Sequence, residues 1–355
     1  MKIFALRADD QACGMYRVEL PILYAEREGL IEATIDTELP ADATIQPNGE
    51  VTVHSVNVDA DLIIFQRPLT AAFLPAIKQA QKQGIACVVE LDDDLAAVDP
   101  DNLAYRAVHP KYSPAANYEH LRAASSQADW LTASTPCIAE RYKGRSGRFS
   151  VIRNSLPSSI FDIEKKIEDP PRVGWTGSVG THPHDLEQVG VHLRTVLQQT
   201  RTPFSMLGED DGVREQLRFD DSIEFSCYPW VGLDKYHEAL SQTVDIGVVP
   251  LATSKFNEAK SYLKGLEMAG LGIPFVASPT SEYQYISAIG AGTIAHKGLQ
   301  WQKKLKHLIT DRDYLLEQSA QIRDAVRELT YENAVEAWVQ AWTAAVTYRR
   351  ASHEL

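Results

Sequence analysis

The chain has 355 residues, of which 44% are hydrophobic and 23% charged, a composition that is ordinary for a globular protein. This length predicts two domains rather than one core. The formal net charge of -13 argues against nonspecific attraction to nucleic acid or anionic lipid. No apolar run approaches the roughly 20 residues of a membrane span, and the start, MKIFALRADD, turns acidic too early for a signal peptide.

The four cysteines are far apart in the sequence and form no CxxC pair: Cys13, Cys87, Cys137 and Cys227. They predict reduced thiols in a cytoplasmic protein without a metal cluster. One local exception to the acidic balance is the run RYKGRSGR at 141–148, with four cations in eight positions. It is either a solvated loop between a helix and a strand or a basic patch that binds a polyanionic acceptor.

Strand and helix patterns alternate through the first half of the chain. The predicted strands are 2–7, 32–36, 52–56, 61–66, 85–91, 130–134 and 149–154, and the predicted helices are 15–28, 70–82, 116–127 and 136–143. This alternation is typical of a mostly parallel sheet with helices on both faces. Residues 1–155 are therefore predicted to form an N-terminal Rossmann-like domain.

Residues 155–171, SLPSSIFDIEKKIEDPP, interrupt the alternation with prolines and mixed charges, which predicts a linker at 156–171. A second Rossmann-like domain is predicted at 172–330, with a helix at 184–199 and strands at 172–177, 203–208, 222–227, 245–250, 274–278 and 292–295. The chain is predicted to be helical from Gln300, and the last helix, about 330–355, to pack back on the first domain with Trp338 and Trp342 in a core. The fold class is therefore α/β, with two facing domains, parallel sheets and a ligand cleft between them.

The most informative stretch is 245–279, DIGVVPLATSKFNEAKSYLKGLEMAGLGIPFVASP, which predicts strand, loop, helix, turn and strand. Its loop and helix carry Asn257, Lys260, Ser261, Lys264 and Glu267. Free N–H groups of a helix start, together with a lysine and a serine, are suited to hold an anion. Glu267 can accept hydrogen bonds from a sugar diol. This stretch therefore predicts a nucleotide-sugar site.

Small residues also end the first strand of each half. Gly14 lies just before a predicted helix, where a backbone can approach a phosphate, and Arg17 follows one turn later. A simple turn glycine would give the same pattern. In the second half the segment GWTGS ends in Gly177 and Ser178, and His184 is placed to reach a phosphate oxygen, with Asp185 as a helix cap.

The predicted strand 85–91 ends in an acidic run, Glu90 to Asp94. Three interpretations compete for it. The carboxylates could chelate a divalent metal, or form a phosphorylation pocket like that of receiver domains. Otherwise one of them orients an acceptor hydroxyl while the others cap the following helix, and this is the interpretation we favour.

Three segments of the second half resemble the GT-B glycosyltransferases, within them the large retaining family 4 that includes sucrose synthase-like and mannosyltransferase enzymes. They are FSMLGEDDG at 204–212, IEFSCYPW at 223–230, and DIGVVPL with LEMAGLGIPFVAS within 245–278. The resemblance implies that Gly208 lies beside the nucleotide and that the loop with Trp230 flanks the base. It also implies that Glu267 binds the ribose hydroxyls.

The sequence departs from this family at several positions. The first of the family's two glutamates would fall at Ala259, and Glu258 is one position away. Ser178 stands near the family's diphosphate-binding arginine and His184 near its lysine, so Lys260, Ser261 and Lys264 would supply that charge. In the first domain Asp92 stands where the family often has a histidine, which gives Asp92 the acceptor-side role.

The resemblance implies sugar transfer from a nucleoside diphosphate sugar to a hydroxyl, with retention of configuration. No cofactor and no metal are expected, and the expected catalytic residues are Asp92, Lys260 and Lys264. Two alternatives stay open, a GT-B epimerase of nucleotide sugars and a noncatalytic sugar- or nucleotide-binding protein. The acceptor is undetermined: a glycan, a protein, a small metabolite or a hydroxylated base in nucleic acid all remain open.

Overall fold

The computed structural model describes residues 1–144 and 147–353, which form two compact units. Unit 1 comprises Met1–Val98, Ala104–Asn154 and the described residues from Tyr331 onward. Unit 2 comprises Asp99–Leu103 and Ser155–Thr330. Arg145 of the basic run lies outside the described residues, so the interpretation of that run as a polyanion patch stays untested.

Unit 1 contains a six-stranded parallel sheet and a separate antiparallel hairpin of β3 and β4. The strands are β1 (Lys2–Leu6), β2 (Glu32–Asp36), β3 (Ala41–Ile45), β4 (Val51–Val56), β5 (Leu62–Gln66), β6 (Ala86–Leu91), β7 (Trp130–Ala133) and β8 (Phe149–Val151). The sheet order is β2-β1-β5-β6-β7-β8. β5 and β6 are buried along their whole length, as central parallel strands covered on both faces must be.

The helices of unit 1 follow these strands in alternation. They are α1 (Ala12–Gly14), which continues through a π-helical turn at Met15–Glu19 into α2 (Leu20–Arg27), then α3 (Phe73–Lys82), α4 (Tyr105–Val108), α5 (Tyr118–Gln127) and α6 (Pro136–Tyr142), with a 3-10 turn at Leu95–Ala97. Local sequence sets two of their starts. The Asn117 side chain accepts hydrogen bonds from Glu119 N and His120 N at the start of α5. Thr135 caps α6, whose first residue is proline.

Unit 2 repeats the doubly wound pattern, with the sheet order β11-β10-β9-β12-β13-β14. Its strands are β9 (Val173–Gly177), β10 (Phe204–Gly208), β11 (Phe225–Tyr228), β12 (Ile246–Val249), β13 (Phe275–Ala277) and β14 (Thr293–Ile294). Its helices are α7 (Gly190–Thr200), α8 (Val213–Leu217), α9 (Leu233–Thr243), α10 (Lys255–Glu258), α11 (Leu263–Gly270), α12 (Ser281–Ala288), α13 (Gly298–Thr310) and α14 (Arg312–Ala325), with 3-10 turns at Ser158–Asp162, Val179–Thr181 and Leu186–Gln188.

Apolar residues of these strands alternate between two buried clusters. Val248 and Val276 belong to one cluster, and their neighbours Val249 and Ala277 belong to the other. Successive strand residues point to opposite faces, so the unit 2 sheet is covered on both sides. The strand order changes direction between β9 and β12, and this switch point places the carboxyl ends of both strands at one crevice.

The prediction of a linker at 156–171 is wrong. Leu156 and Ile160 are buried in one cluster of unit 2 and Ile167 in the other. Leu156 N also donates to Leu329 O at 2.9 Å. Prolines and charged residues separate the apolar residues of this segment, but those apolar residues pack into the core of unit 2. Unit 2 also takes in Asp99–Leu103 from the first half of the chain.

The last helix, α15 (Tyr331–His353), belongs to unit 1, where it packs on α2 and β6. Tyr331 Oη donates to Tyr16 O at 2.6 Å. Trp338 and Trp342 are each 1% exposed, which confirms the prediction that they pack in a core. No helix in the described part of the chain has both the length and the apolarity of a membrane span.

Candidate functional site

The loops that follow β9 and β12 meet at the switch point of unit 2, and Asp185 joins them. Its Oδ1 accepts from Ala252 N and from Asn257 Nδ2, each at 2.7 Å. Asp185 is 1% exposed. We expected it to cap a helix through its side chain, but it makes no such bond at the turn that follows it. It instead fixes the β12 loop, including the predicted site residue Asn257, against the β9 loop.

The polar set from 257 to 267 does not lie on a single helix. α10 ends at Glu258 and α11 begins at Leu263, so Lys260 and Ser261 lie in the connecting turn. Ser261 Oγ accepts from Leu263 N at 3.4 Å, at the start of α11. Lys264 and Glu267 lie on α11 itself. The sequence predicted a longer helix than the chain forms.

Lys264 places its ammonium at the carboxyl end of β9. Its Nζ lies 5.1 Å from the centre of the Trp175 ring and 3.3 Å from the point where a side chain on Gly177 would begin. Within the described residues this ammonium forms no ion pair. Burial, aided by the charge of Lys260, lowers the pKa of Lys264 to about 8. Lys260 is held with its Nζ 4.4 Å from the centre of the Phe256 ring.

His182 is a site residue that the sequence analysis missed. Burial, followed by the charge of Lys264, lowers its pKa to about 4, so the imidazole is neutral at pH 7. His182 Nδ1 lies 3.0 Å from Asp185 Oδ2. Because a carboxylate only accepts, Nδ1 carries the proton and Nε2 keeps its lone pair for a ligand hydroxyl.

The structure places His184 beside carboxylates, and its phosphate contact stays a prediction. Its side chain is 45% exposed, and its Nε2 lies 2.9 Å from Asp101 Oδ2 while its Nδ1 lies 3.4 Å from Glu187 Oε1. With Asp99 and Asp101 it offers three ligand atoms within 4.8 Å of one another, the arrangement a metal ion could use. Asp99 and His184 border a cavity of about 310 Å³ that Asn257 also lines.

Two glycines leave open backbone at the ends of β9 and β10. Gly177 and Gly208 both have φ of +149°, and a Cβ on Gly208 would lie only 2.1 Å from Gly177 O. No larger residue fits at Gly208. The same Cβ would lie 3.3 Å from Cζ2 of Trp230, which is 44% exposed on the loop after β11. The structure therefore brings Gly177, Gly208, Trp230 and Lys264 together.

Glu267 lies deeper on α11 and is 6% exposed. Its Oε1 is 3.6 Å from His237 Nε2. Burial, and then the charge of Glu267, raises the pKa of Tyr236, so its phenol keeps its proton. Tyr236 Oη lies 3.2 Å from Thr176 Oγ1. A carboxylate among protonated donors at the strand ends is suited to orient a diol.

Arg17 of unit 1 does not face a ligand, which corrects the prediction that it binds the donor. Its side chain is 1% exposed, and its Nε donates to Glu90 Oε1 at 2.7 Å. Its Nη1 donates to Ile152 O at 2.7 Å, and its guanidinium covers the Trp338 ring at 4.6 Å. Burial raises the pKa of Glu90 to about 7 although Arg17 opposes this. Arg17 is therefore a core residue that ties α15 to β6.

Gly14 likewise has a structural explanation. A Cβ there would lie 2.1 Å from Asp9 O, and Gly14 N donates to Asp9 Oδ1 at 3.1 Å. A glycine is needed at this position because the start of the first helix packs directly against the backbone of Asp9, in the loop after β1. It makes this contact with its own chain, so the close backbone approach is not evidence of a phosphate.

Asp92 is bound to Arg67, a residue the sequence analysis did not consider. Arg67 Nε donates to Asp92 Oδ1 at 2.6 Å, and Nη2 donates to Cys13 Sγ at 2.8 Å. Burial alone would raise the pKa of Asp92, but the Arg67 guanidinium outweighs it and holds this pKa below its usual range. Asp94, the other carboxylate proposed as a chelator, is bonded separately to Arg141 and to Tyr142 Oη.

No protein-family model matches the sequence, and a search of the curated proteins finds no match. Solved structures do match over nearly the full chain. Sucrose-phosphate synthase from Thermosynechococcus elongatus is 12% identical with a TM-score of 0.62, and the match covers 100% of both chains. HepE from Anabaena, solved with UDP and glucose, is 13% identical with a TM-score of 0.61, covering 97% of this chain and 100% of that one.

A third match is a variant of the O-GlcNAc transferase of Thermobaculum terrenum. It is 13% identical with a TM-score of 0.59, and the match covers 98% of this chain and 68% of the transferase. These proteins share the GT-B architecture of two doubly wound units. The chain has the GT-B fold. At this level of identity the similarity establishes the fold alone.

Proposed function

We propose that this protein is a glycosyltransferase that moves a sugar from a nucleoside diphosphate sugar to a hydroxyl acceptor. The observation that carries the proposal is the Lys264 ammonium, which has no carboxylate partner among the described residues and lies beside the open backbone of Gly177. An ammonium in this position, with its pKa lowered by burial, gains stability from an anionic ligand. The GT-B fold supports a diphosphate as that anion.

In the proposed reaction the acceptor oxygen bonds to the anomeric carbon while the bond from that carbon to the diphosphate breaks. Negative charge therefore grows on the leaving diphosphate. The start of α11 contributes only about 0.3–1 kcal/mol, whereas enzymatic rate gains need roughly 8 kcal/mol or more. Lys260 and Lys264 would supply most of the additional charge stabilisation. Since Arg17 is buried in unit 1, it is not part of this set.

We further propose that the transfer retains the anomeric configuration and needs no metal, as the sequence resemblance implies. On this account the leaving phosphate takes the proton of the acceptor hydroxyl. Two measurements test these points: the anomeric signal of the fresh product in proton NMR, and activity after removal of divalent ions with EDTA. An inverted product would contradict the first point. Loss of activity in EDTA, restored by Mg²⁺ or Mn²⁺, would contradict the second.

Replacing Glu267 with glutamine should weaken binding of the nucleoside diphosphate about 10- to 100-fold, because a hydrogen bond to a charged group is worth about 1.5–3 kcal/mol. The kcat should change little, because ribose contacts are made equally in the ground and transition states. Isothermal titration and steady-state kinetics measure the two effects. Glu258→Gln is the matched control, since this exposed carboxylate bonds Ser281 Oγ instead. Equal losses in both variants would contradict the assignment of Glu267.

The affinity for the nucleoside diphosphate should fall as the pH rises through about 8. The pKa of Lys264 is lowered to about 8, so the protonated form that attracts phosphate is present below this pH and lost above it. Titrations between pH 6.5 and 9.5 give the profile. Lys264→Arg is the informative variant, since arginine stays charged throughout this range. Its affinity should not decline near pH 8; the same decline in both proteins would assign the titration to another group.

The proposed activity is tested by incubating the purified protein with UDP-, GDP- and dTDP-sugars. Slow release of free sugar, faster with an accepted hydroxyl compound, is the expected result for a transferase. Formation of an isomeric nucleotide sugar would instead indicate an epimerase. Binding of a nucleotide sugar without any turnover would indicate a receptor, and both of these results would overturn the proposal.

A further inference from the structure

Four rings lie together on the surface of unit 1, in the segment between β6 and α5 and at the start of α5. This aromatic patch consists of Tyr105, His109, Tyr112 and Tyr118. The His109 ring centre lies 4.8 Å from that of Tyr105, 5.9 Å from that of Tyr112 and 5.8 Å from that of Tyr118. Tyr112 is 50% exposed, so the patch does not fill a core. The proposed reaction assigns these rings no role in donor binding.

Three cations surround the aromatic patch. Arg106 and Lys111 place their charged groups 6.0 Å and 5.2 Å from the Tyr112 ring centre, and Arg122 lies 5.8 Å from that of Tyr118. All three are exposed. Within the described residues none of them forms an ion pair. In a chain with a formal net charge of -13, this is a local reversal of sign beside the exposed ring of Tyr112.

The backbone holds the aromatic patch in place. Asn117 N donates to Leu69 O at 2.8 Å, and the Asn117 side chain donates to Pro114 O at 2.8 Å while it caps α5. Thr70 and Ala116 add a bridge to the same connection. Since Asn117 is buried, the segment is anchored to the body of unit 1, and a ligand would meet rings that are already ordered.

We propose that the aromatic patch binds an anionic glycan. Tyrosine rings offer a rigid surface, apolar on its faces and polar at the hydroxyl, that suits the C–H face of a sugar ring. Exposed arginines suit the planar carboxylates or phosphates such a glycan carries. Cations that lie within about 6 Å of the rings suit a ligand that carries both sugar rings and anionic groups.

The charge balance favours a sparsely charged glycan over nucleic acid. Duplex DNA carries one negative charge per about 1.7 Å of axis, and binding proteins neutralise many phosphates at once. Three cations are too few for that, and the net charge of -13 would repel the rest of the strand. A glycan with one anionic group every one or two sugars needs only local cations. Nucleic acid therefore becomes an outcome that the experiment must separate.

The test is a binding titration of the full chain without donor, using three probes: hexagalacturonate, its carboxyl-reduced neutral counterpart, and an oligothymidylate. We expect hexagalacturonate to bind more tightly than the other two. Arg106→Glu with Lys111→Glu should weaken that binding about five- to tenfold, as loss of two exposed charge contacts implies. Tyr112→Ala should weaken it as well. Circular dichroism checks that each variant is folded.

Lys303→Glu with Lys306→Glu is the matched control, because it makes the same change in net charge on α13 of unit 2. Unchanged hexagalacturonate affinity in the Arg106/Lys111 variant, or an equal loss in the control, would overturn the inference. Tighter binding of oligothymidylate would overturn it in favour of a nucleic acid. Titration with UDP and GDP is done separately, so failure of the donor site and failure of the aromatic patch give different results.

Discussion

Replacing Lys264 with methionine is expected to lower kcat about 100- to 1,000-fold, the size of effect seen when one group that stabilises a developing anion is removed. Methionine keeps the length and much of the volume of the stem, so Trp175 keeps its neighbour while the charge is lost. Lys260→Met should also lower kcat, since Lys260 contributes charge to the same site. Transfer or hydrolysis rates with a saturating nucleotide sugar measure both effects.

Lys255→Met is the matched control for this prediction. Lys255 is an exposed lysine at the first position of α10, five residues from Lys260. Its replacement by methionine removes the same charge as Lys264→Met. Its kcat should stay within about twofold of the wild type. If Lys264→Met retained wild-type kcat and KM, the lysine cluster would not be the diphosphate site. If kcat fell equally in Lys255→Met and Lys264→Met, the loss would come from the change in overall charge and not from a contact of Lys264 with the diphosphate.

Replacing Arg17 with methionine is expected to destabilise unit 1 by about 3–5 kcal/mol, because it leaves Glu90 buried without its cation. The deficit should grow as the pH rises above 7. The pKa of Glu90 is about 7 with Arg17 present, and loss of Arg17 raises it further, so folding of the variant must keep Glu90 protonated over a wider pH range. Urea-dependent hydrogen exchange of β6 and α15 peptides reports on unit 1 alone.

Two variants separate this explanation from a loss of packing. Arg17→Met with Glu90→Gln removes both charges and should recover most of the lost stability. Lys2→Met breaks an exposed ion pair with Asp59 and should leave the exchange of β6 unchanged. If the double variant were as unstable as Arg17→Met, the contact of Arg17 with Trp338 would be the main source of stability. If Arg17→Met were as stable as the wild type, the claim that Arg17 stabilises unit 1 by pairing with buried Glu90 would be contradicted.

The central strands were the easiest part of the fold to predict. β5 and β6 are continuous apolar runs because they are covered on both faces, and sequence shows this directly. β3 was missed because its residues are mostly exposed and it pairs with β4 in a separate two-stranded hairpin. The linker prediction failed because Leu156, Ile160 and Ile167 are spaced too widely to show a helix or strand period, although each is buried.

The grouping of site residues that are neighbours in sequence stays a prediction. Lys264 and Glu267 lie on one helix, so their spacing predicts that they share a site. Arg17 was misassigned because its partner Glu90 is 73 positions away, and only the folded chain shows that the charge is already paired. The sequence singled out His184 and not His182, because it does not show which histidine lies against Trp175.

The most direct test is a crystal structure with the nucleoside diphosphate that binds in the donor titrations. We predict that a phosphate oxygen lies within about 3 Å of Lys264 Nζ, a charge-assisted hydrogen-bond distance. We also predict that Glu267 accepts hydrogen bonds from the ribose hydroxyls and that the base lies by Gly208 and Trp230. A nucleotide bound to unit 2 away from Lys264, or bound to unit 1, would contradict the account.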